Sequence, residues 1–200
     1  MSITPEHEER SSTTVPGRRE PRVTAPRHAR RATGGPALAL LRIAMGLVFL
    51  WAFADKLFGL GYSTTTAGAW IHGGSPTRGF LGSVAVGPLA STFHSWAGTG
   101  WADWLFMAGL FCIGLALVAG VALRLTAVAG TVMLLLMWAA EWPLARFTSV
   151  GEATHSTHPI IDYHVIYALV LIALAATLAG DTWGLGRRWA AATGDRAWLR

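Results

Sequence analysis

The sequence predicts an all-α membrane protein: a bundle of four transmembrane helices with a long, partly helical outer loop between helices 1 and 2. Composition is the first reason. Of 200 residues, 52% are hydrophobic and only 14% are charged, with a mean hydropathy of +0.43. Soluble domains carry about 25% charged residues. The second reason is that the apolar residues gather into four runs, 36–58, 101–123, 125–142 and 159–180. Each run meets or approaches the roughly 20 residues that a helix needs to cross a hydrocarbon core of about 30 Å. Third, the runs are rich in Leu and Ala and lack the polar–apolar alternation of barrel strands. The chain therefore divides into a disordered basic tail over 1–35, a transmembrane domain over 36–182 and an amphipathic tail over 183–200.

The tail holds seven arginines (Arg10, Arg18, Arg19, Arg22, Arg27, Arg30 and Arg31) among Pro, Ser, Thr and Gly. Such a composition cannot bury enough apolar surface to fold. Beside a membrane span, basic residues fix orientation and touch anionic lipid, so no nucleic-acid partner is expected. With the N-terminus inside, thirteen Lys and Arg fall on the inner side, including Arg42 and Arg124, against Lys56, Arg78 and Arg146 outside. That bias predicts a multi-pass protein of the cell membrane with both termini cytoplasmic.

The first run contains Ala52-Phe53-Ala54, a small-residue pattern like a signal-peptide cleavage site, with Arg30-Arg31 upstream. The run fills a whole span and three more follow, which favours an uncleaved anchor. Between spans one and two lie 42 residues, 59–100, with ten glycines and no acidic residue. A loop of that length in a small protein is usually functional or carries structure of its own. Trp70, Ile71, Phe80, Leu81, Phe93 and Trp96 argue that it packs. Short helices are expected near 64–72 and 88–96, over the outer mouth of the bundle, with a turn at 73–77. Spans two and three are joined by barely a turn around Arg124. Cys112 is the sole cysteine, which excludes a disulfide or a CxxC redox pair within the chain and reads as packing. Trp183, Trp189 and Trp198 beside arginines suit a helix at the inner interface.

Ionisable residues collect at one level. Asp55 and Lys56 end the first span, Asp103 begins the second, Glu141 ends the third, and Asp162 and His164 begin the fourth. All lie on the outer side. The uncharged stretch 165–180 covers only about 24 Å at 1.5 Å per residue, so Asp162 and His164 sit at the edge of the core or within it, where charges are usually paired and turned inward. At 100° per residue, Asp162 and His164 would point about 160° apart and could not form a dyad. Tyr163, His164 and Tyr167 would share a face. His155 and His158 precede Pro159 and belong to the outer loop. Only His164 lies in a span, so a haem held by two histidines is not expected. Nor does any motif for flavin or an iron–sulfur cluster occur; no covalently bound cofactor and no metal site are expected.

These residues carry a resemblance. "FLWAFADKLFGLG", "GGSPTRGFLG", "GLALVAGVALRLTAVAG" and "HPIIDYHVIYALVLI" together resemble the DoxX/DoxD family of four-helix membrane proteins, in particular the DoxD-like branch named for a subunit of a thiosulfate:quinone oxidoreductase. The likeness runs from about Leu41 to Gly180, with Lys56, Asp162 and His164 in register. Two positions depart from it. Many members carry a glutamate in the second span, where this chain has "FMAGLFC", and Asn-Pro often opens the last span, where this chain has His158-Pro159.

The resemblance implies a membrane oxidoreductase subunit passing electrons from a small sulfur anion to quinone, with a soluble or membrane redox partner. Lys56, Asp162 and His164 are then the candidate catalytic residues. Asp55, Asp103, Glu141, Tyr163, Tyr167 and His158 would line the substrate or quinone pocket. Quinone reduction takes up protons, which suits carboxylates, imidazole and phenols. The other reading is a non-enzymatic anchor or assembly subunit whose polar layer is structural or binds a lipid or small solute. A transporter is less well supported, since there are no repeated halves or broken mid-span helices.

Overall fold

A computed structural model describes residues 35–194 together with Arg196 and Trp198. The predicted basic tail lies almost wholly outside the described residues. Among those described there are seven α-helices and three 3₁₀ turns. Among the described residues there is no strand, only an isolated antiparallel bridge between Phe147 and Ala153. Three helices are long and apolar enough to cross a membrane: α1, Gly35–Phe58; α4, Gly100–Ala119; and α5, Leu123–Glu141. Helix α6, Tyr163–Ala176, has 14 residues and is only about 21 Å long. Below, the end of the bundle that bears the 59–99 connection is called the loop end, and the opposite end the turn end.

Each boundary has a local cause. Gly120 ends α4 in the left-handed conformation (φ 73°), where its N–H and that of Val121 both reach Ala116 O at 2.8 and 3.1 Å. This is a glycine helix stop. The expected second span, 101–123, is thus four residues too long at its end. The reversal runs through Gly120–Ala122, and Arg124 lies inside α5 rather than in the turn. Trp142 closes α5 at φ 43°. The expected fourth span, 159–180, is also corrected: residues 159–162 are not helical, and the helix gives way at Thr177 to a 3₁₀ turn over Ala179–Asp181.

Helix α1 packs along α4, and α5 along α6. Glycines set the first of these contacts. A Cβ on Gly114 would lie 3.0 Å from Gly46 O and 2.8 Å from Leu50 Cγ, and one on Gly46 would meet Gly114 O at 2.9 Å. Small residues let membrane helices approach this closely. Met45, Phe49, Met107, Leu117, Leu134 and Leu171 fill the core. Leu47, Leu105, Val128, Val132, Leu169 and Ile172 are exposed. Apolar inside and out, the helices are suited to lipid on their outer faces.

Inside that surface, Arg42 is completely buried. Its guanidinium donates to Leu117 O, to Val118 O at 2.8 Å, and to Trp183 O at 2.9 Å. The Leu185 N–H takes Ala119 O at 2.8 Å. The last four carbonyls of α4, which no helix can satisfy from within, are all provided for. A cation at this negative helix end is also electrostatically favoured.

The connection between α1 and α4 is ordered into 3₁₀ turns over Thr66–Gly68 and Trp70–His72, then α2, Arg78–Gly82, and α3, Ala90–Trp96. The expected helices near 64–72 and 88–96 correspond to the two 3₁₀ turns and α3. Helix α2 was not foreseen. Phe93 and Val84 are buried against Ala140 of α5, with Phe80, Leu81 and Trp96 around them. Beyond α6, α7 covers Gly186–Thr193.

Candidate functional site

The predicted polar layer resolves into three separate groups. Asp55 is buried, 1% exposed, and its carboxylate accepts from Tyr62 N–H at 3.2 Å, Ser63 N–H at 3.0 Å and Ser63 Oγ at 2.6 Å. It holds the chain as it leaves α1. Asp103, in the first turn of α4, accepts at one oxygen from Ser75 Oγ (2.9 Å), Thr77 N–H (3.1 Å) and Thr77 Oγ1 (2.6 Å). It holds the same connection further along. Both carboxylates are occupied by the chain itself. Lys56 makes no ion pair with them; its Nζ lies 5.9 Å from the centre of the Phe106 ring.

The third group brings Glu141, Asp162, Tyr163 and His164 together. Asp162 is the N-cap of α6, with extended backbone (φ −110°, ψ −171°). One carboxylate oxygen accepts from Val165 N–H at 3.1 Å, an N-cap bond that meets an orphan donor of the first turn. The other lies 2.8 Å from His164 Nδ1. This corrects the sequence expectation that the two could not pair. The 100° rotation per residue holds only within a helix, and Asp162 stands just outside one.

Glu141 is the last residue of α5, the negative end of a helix, where a carboxylate is disfavoured. Its compensation comes from α6. Tyr163 Oη donates to Glu141 Oε1 at 2.8 Å, and His164 Nδ1 is 3.9 Å from Oε2. The Tyr163 ring also lies 4.0 Å from the imidazole and 6.0 Å from Tyr167. Burial is graded: Glu141 is 37% exposed, Asp162 11% and His164 0%.

His164 lies on the face of α6 that carries Ala168, Leu171 and Ala175 into the core. Its Nε2 is buried and has no hydrogen-bond partner. When the imidazole is neutral and Nδ1–H donates to Asp162, Nε2 presents a lone pair; the carboxylate fixes both the tautomer and the ring plane. Glu141, Asp162 and His164 offer ligand atoms within 4.8 Å of one another. His164 Nδ1 and Asp162 already satisfy each other, so a cation between them would have to displace a hydrogen bond.

Sequence reasoning missed two supports. Trp138 Nε1 donates to Ile160 O at 2.9 Å, fixing the segment before α6 onto α5. His158, a candidate pocket residue, instead accepts at Nδ1 from Ile160 N–H (3.2 Å) and Ile161 N–H (2.9 Å). It shapes the turn that delivers Asp162. Arg42 was visible as a lone charge in an apolar run, but its role depends on the distant chain segments it binds.

No protein-family model, no curated protein and no solved structure matches the chain.

Proposed function

We propose that the chain is a four-span subunit of the cell membrane, of the DoxX/DoxD kind, in a redox system that carries electrons from a small sulfur anion to quinone. The observation carrying this reading is the buried His164, held at Nδ1 by Asp162 and left without a partner at Nε2. A buried polar atom without a partner costs free energy and calls for a ligand. An oriented imidazole beside a carboxylate and a phenol is a proton-handling group of the kind quinone reduction needs. Joining two thiosulfate anions through a sulfur–sulfur bond releases two electrons, and a quinone takes these with two protons to give quinol. His164 passes protons at Nε2, Asp162 holds its ring, and Glu141 with Tyr163 links it to water. A redox partner protein carries the electrons, because no flavin, iron–sulfur or haem motif occurs in the sequence.

The four-span topology is supported by the packing of α6 on α5 and by its exposed Ile166, Leu169 and Ile172. The orientation is supported by the basic bias, which survives when the buried Arg42 is set aside. To test the function, the protein is purified in mild detergent with its partners, and quinone reduction is followed with thiosulfate as donor. His164→Ala should abolish turnover while the partner stays bound. Full turnover in His164→Ala would refute the assignment.

A second reading, an anchor or assembly subunit, is favoured by the use of Asp55 and Asp103 to hold backbone rather than line a pocket. It expects partner binding with no turnover in any preparation.

A further inference from the structure

Helices α4 and α5 meet at Gly120–Ala122 but touch only sparingly beyond it, whereas α1 with α4 and α5 with α6 pack along their lengths. Between the two helices lies a groove of about 440 Å³. That is within the range of small-molecule sites. Trp101, Leu105 and Phe106 of α4 line it, with Val132, Met133 and Met137 of α5, and α2 and α3 roof it. It runs down α4 from Trp101 to Ile113, a depth of about 18 Å at 1.5 Å per residue. One leaflet of a 30 Å hydrocarbon core is about 15 Å deep. The groove is therefore as deep as one leaflet and open to lipid.

Its lining has no charged residue. The Thr77 hydroxyl is already spent, donating to Asp103 and accepting from Gly98 N–H. A ligand with carbonyls in the groove would thus find few donors there, the indole N–H groups of Trp96 and Trp101 and the weak Cys112 thiol. A cation stands at the rim. Arg78 follows the groove-lining Thr77, and its side chain lies against Gly98, two residues beyond the groove-lining Trp96; a Cβ there would come within 2.8 Å of Arg78 Nε. Arg78 is exposed, and its guanidinium has no hydrogen-bond or ion-pair partner among the described residues.

We propose that this groove is a phospholipid site, an acyl chain lying between α4 and α5 and the phosphate on Arg78. Hydrocarbon matches the lining and the one-leaflet depth. The guanidinium matches a phosphate, which it can grip by two parallel hydrogen bonds. The site goes beyond the redox reading and does not depend on it.

Cys112 is the chain's sole cysteine, is exposed and lines the groove, so it reports on occupancy. The full chain in mild detergent is treated with a small uncharged maleimide, with phosphatidylglycerol, dioleoylglycerol or an isoprenoid quinone added. Phosphatidylglycerol should slow modification of Cys112, and dioleoylglycerol should need about tenfold more for the same protection, the size expected for one charged hydrogen-bonded contact. Arg78→Gln should erase that difference, and Arg78→Lys should restore part of it. Absence of protection by phosphatidylglycerol overturns the proposal. So does protection by quinone at concentrations where phosphatidylglycerol has none. Equal protection of wild type and Arg78→Gln by phosphatidylglycerol overturns the phosphate seat and with it the choice of occupant. The wild-type comparison of the lipids decides the matter even where a variant fails to fold.

Discussion

Asp162 and His164 are two positions apart in the chain, and their side chains meet at 2.8 Å because Asp162 has extended rather than helical backbone. One carboxylate thus caps α6 and orients its histidine. The two roles can be separated. Asp162→Asn keeps an oxygen for the Val165 N–H, and Asn caps as well as Asp. Asp162→Ala removes both contacts. In detergent, Asp162→Ala should be about 1 kcal/mol less stable than Asp162→Asn. Under the redox proposal, quinone turnover should fall by roughly 10²-fold in both, the range expected when a proton-transfer group is lost. Turnover in Asp162→Asn equal to wild type would remove the orienting role and leave a cap alone.

Arg42 should be among the least replaceable residues of the bundle. Arg42→Met leaves Val118 O and Trp183 O without the donor they now have. A buried acceptor without a partner costs about 1–3 kcal/mol, so a loss of roughly 3 kcal/mol or more is expected for the pair. Arg42→Lys should recover only part, since one ammonium cannot span the sites that a planar guanidinium reaches. Thermal unfolding in detergent measures both. A melting temperature unchanged in Arg42→Met would mean that the carbonyls find other donors.

Much of the fold was legible because composition and run length report directly on whether a helix can sit in lipid. The loop was legible too: aromatics at Trp70, Phe93 and Trp96 had to pack on something. The site was harder to read. The layer a charge occupies pointed to its partners, which put Asp55, Lys56, Asp103 and Glu141 in one pocket. Depth along a helix does not say which neighbour a side chain meets, nor that backbone N–H groups of the loop would claim two carboxylates first. The Asp162–His164 pair was excluded by a rule that fails at a cap, one residue before it begins to apply. Arg42 entered only the count of inner-side basic residues, because carbonyls 75 or more residues away leave no local mark in the sequence.

The contact between α1 and α4 should fail on addition of one methyl group. In Gly114→Ala the new Cβ meets Leu50 Cγ at 2.8 Å and Gly46 O at 3.0 Å. Leucine can turn aside, but a backbone carbonyl in a helix cannot. Overpacking of this kind costs about 1–3 kcal/mol. Leu50→Ala in the same chain should return only the side-chain part. Gly100→Ala is the control, with nothing within 4 Å of its Cβ, and should be neutral or slightly stabilising. Equal melting temperatures for Gly114→Ala and Gly100→Ala would show that the helices do not approach as described.

Topology is tested by single cysteines at positions 75 and 190 in a Cys112→Ala background. With the bundle spanning the membrane four times, the two positions lie on opposite sides. An impermeant maleimide added to intact cells should label position 75 and leave position 190 untouched until the membrane is opened. The expectation rests on the distribution of Lys and Arg. The reverse pattern would invert the orientation, and labelling at both positions would mean an even number of spans between them.

Lys56 distinguishes a stabilising charge from a working one. A lysine at the level of Asp55, Asp103 and Glu141 invites an ion pair, and the loss of such a lysine would strand its partners. Here Asp55 and Asp103 are satisfied by Ser63, Ser75 and Thr77, while the ammonium stands over the Phe106 ring. Lys56→Met keeps the length and apolar stem of the side chain and removes only the charge. Stability should therefore stay within about 0.5–1 kcal/mol of wild type, the worth of a cation–π contact at a partly exposed site. Under the redox proposal the same variant should lose turnover with the sulfur anion, because Lys56 is the candidate catalytic cation at the end of α1. Partner binding, read by co-purification, should persist. Turnover kept with stability kept would assign Lys56 no part in either, and a fall of several kcal/mol would restore the ion-pair role that the geometry denies it.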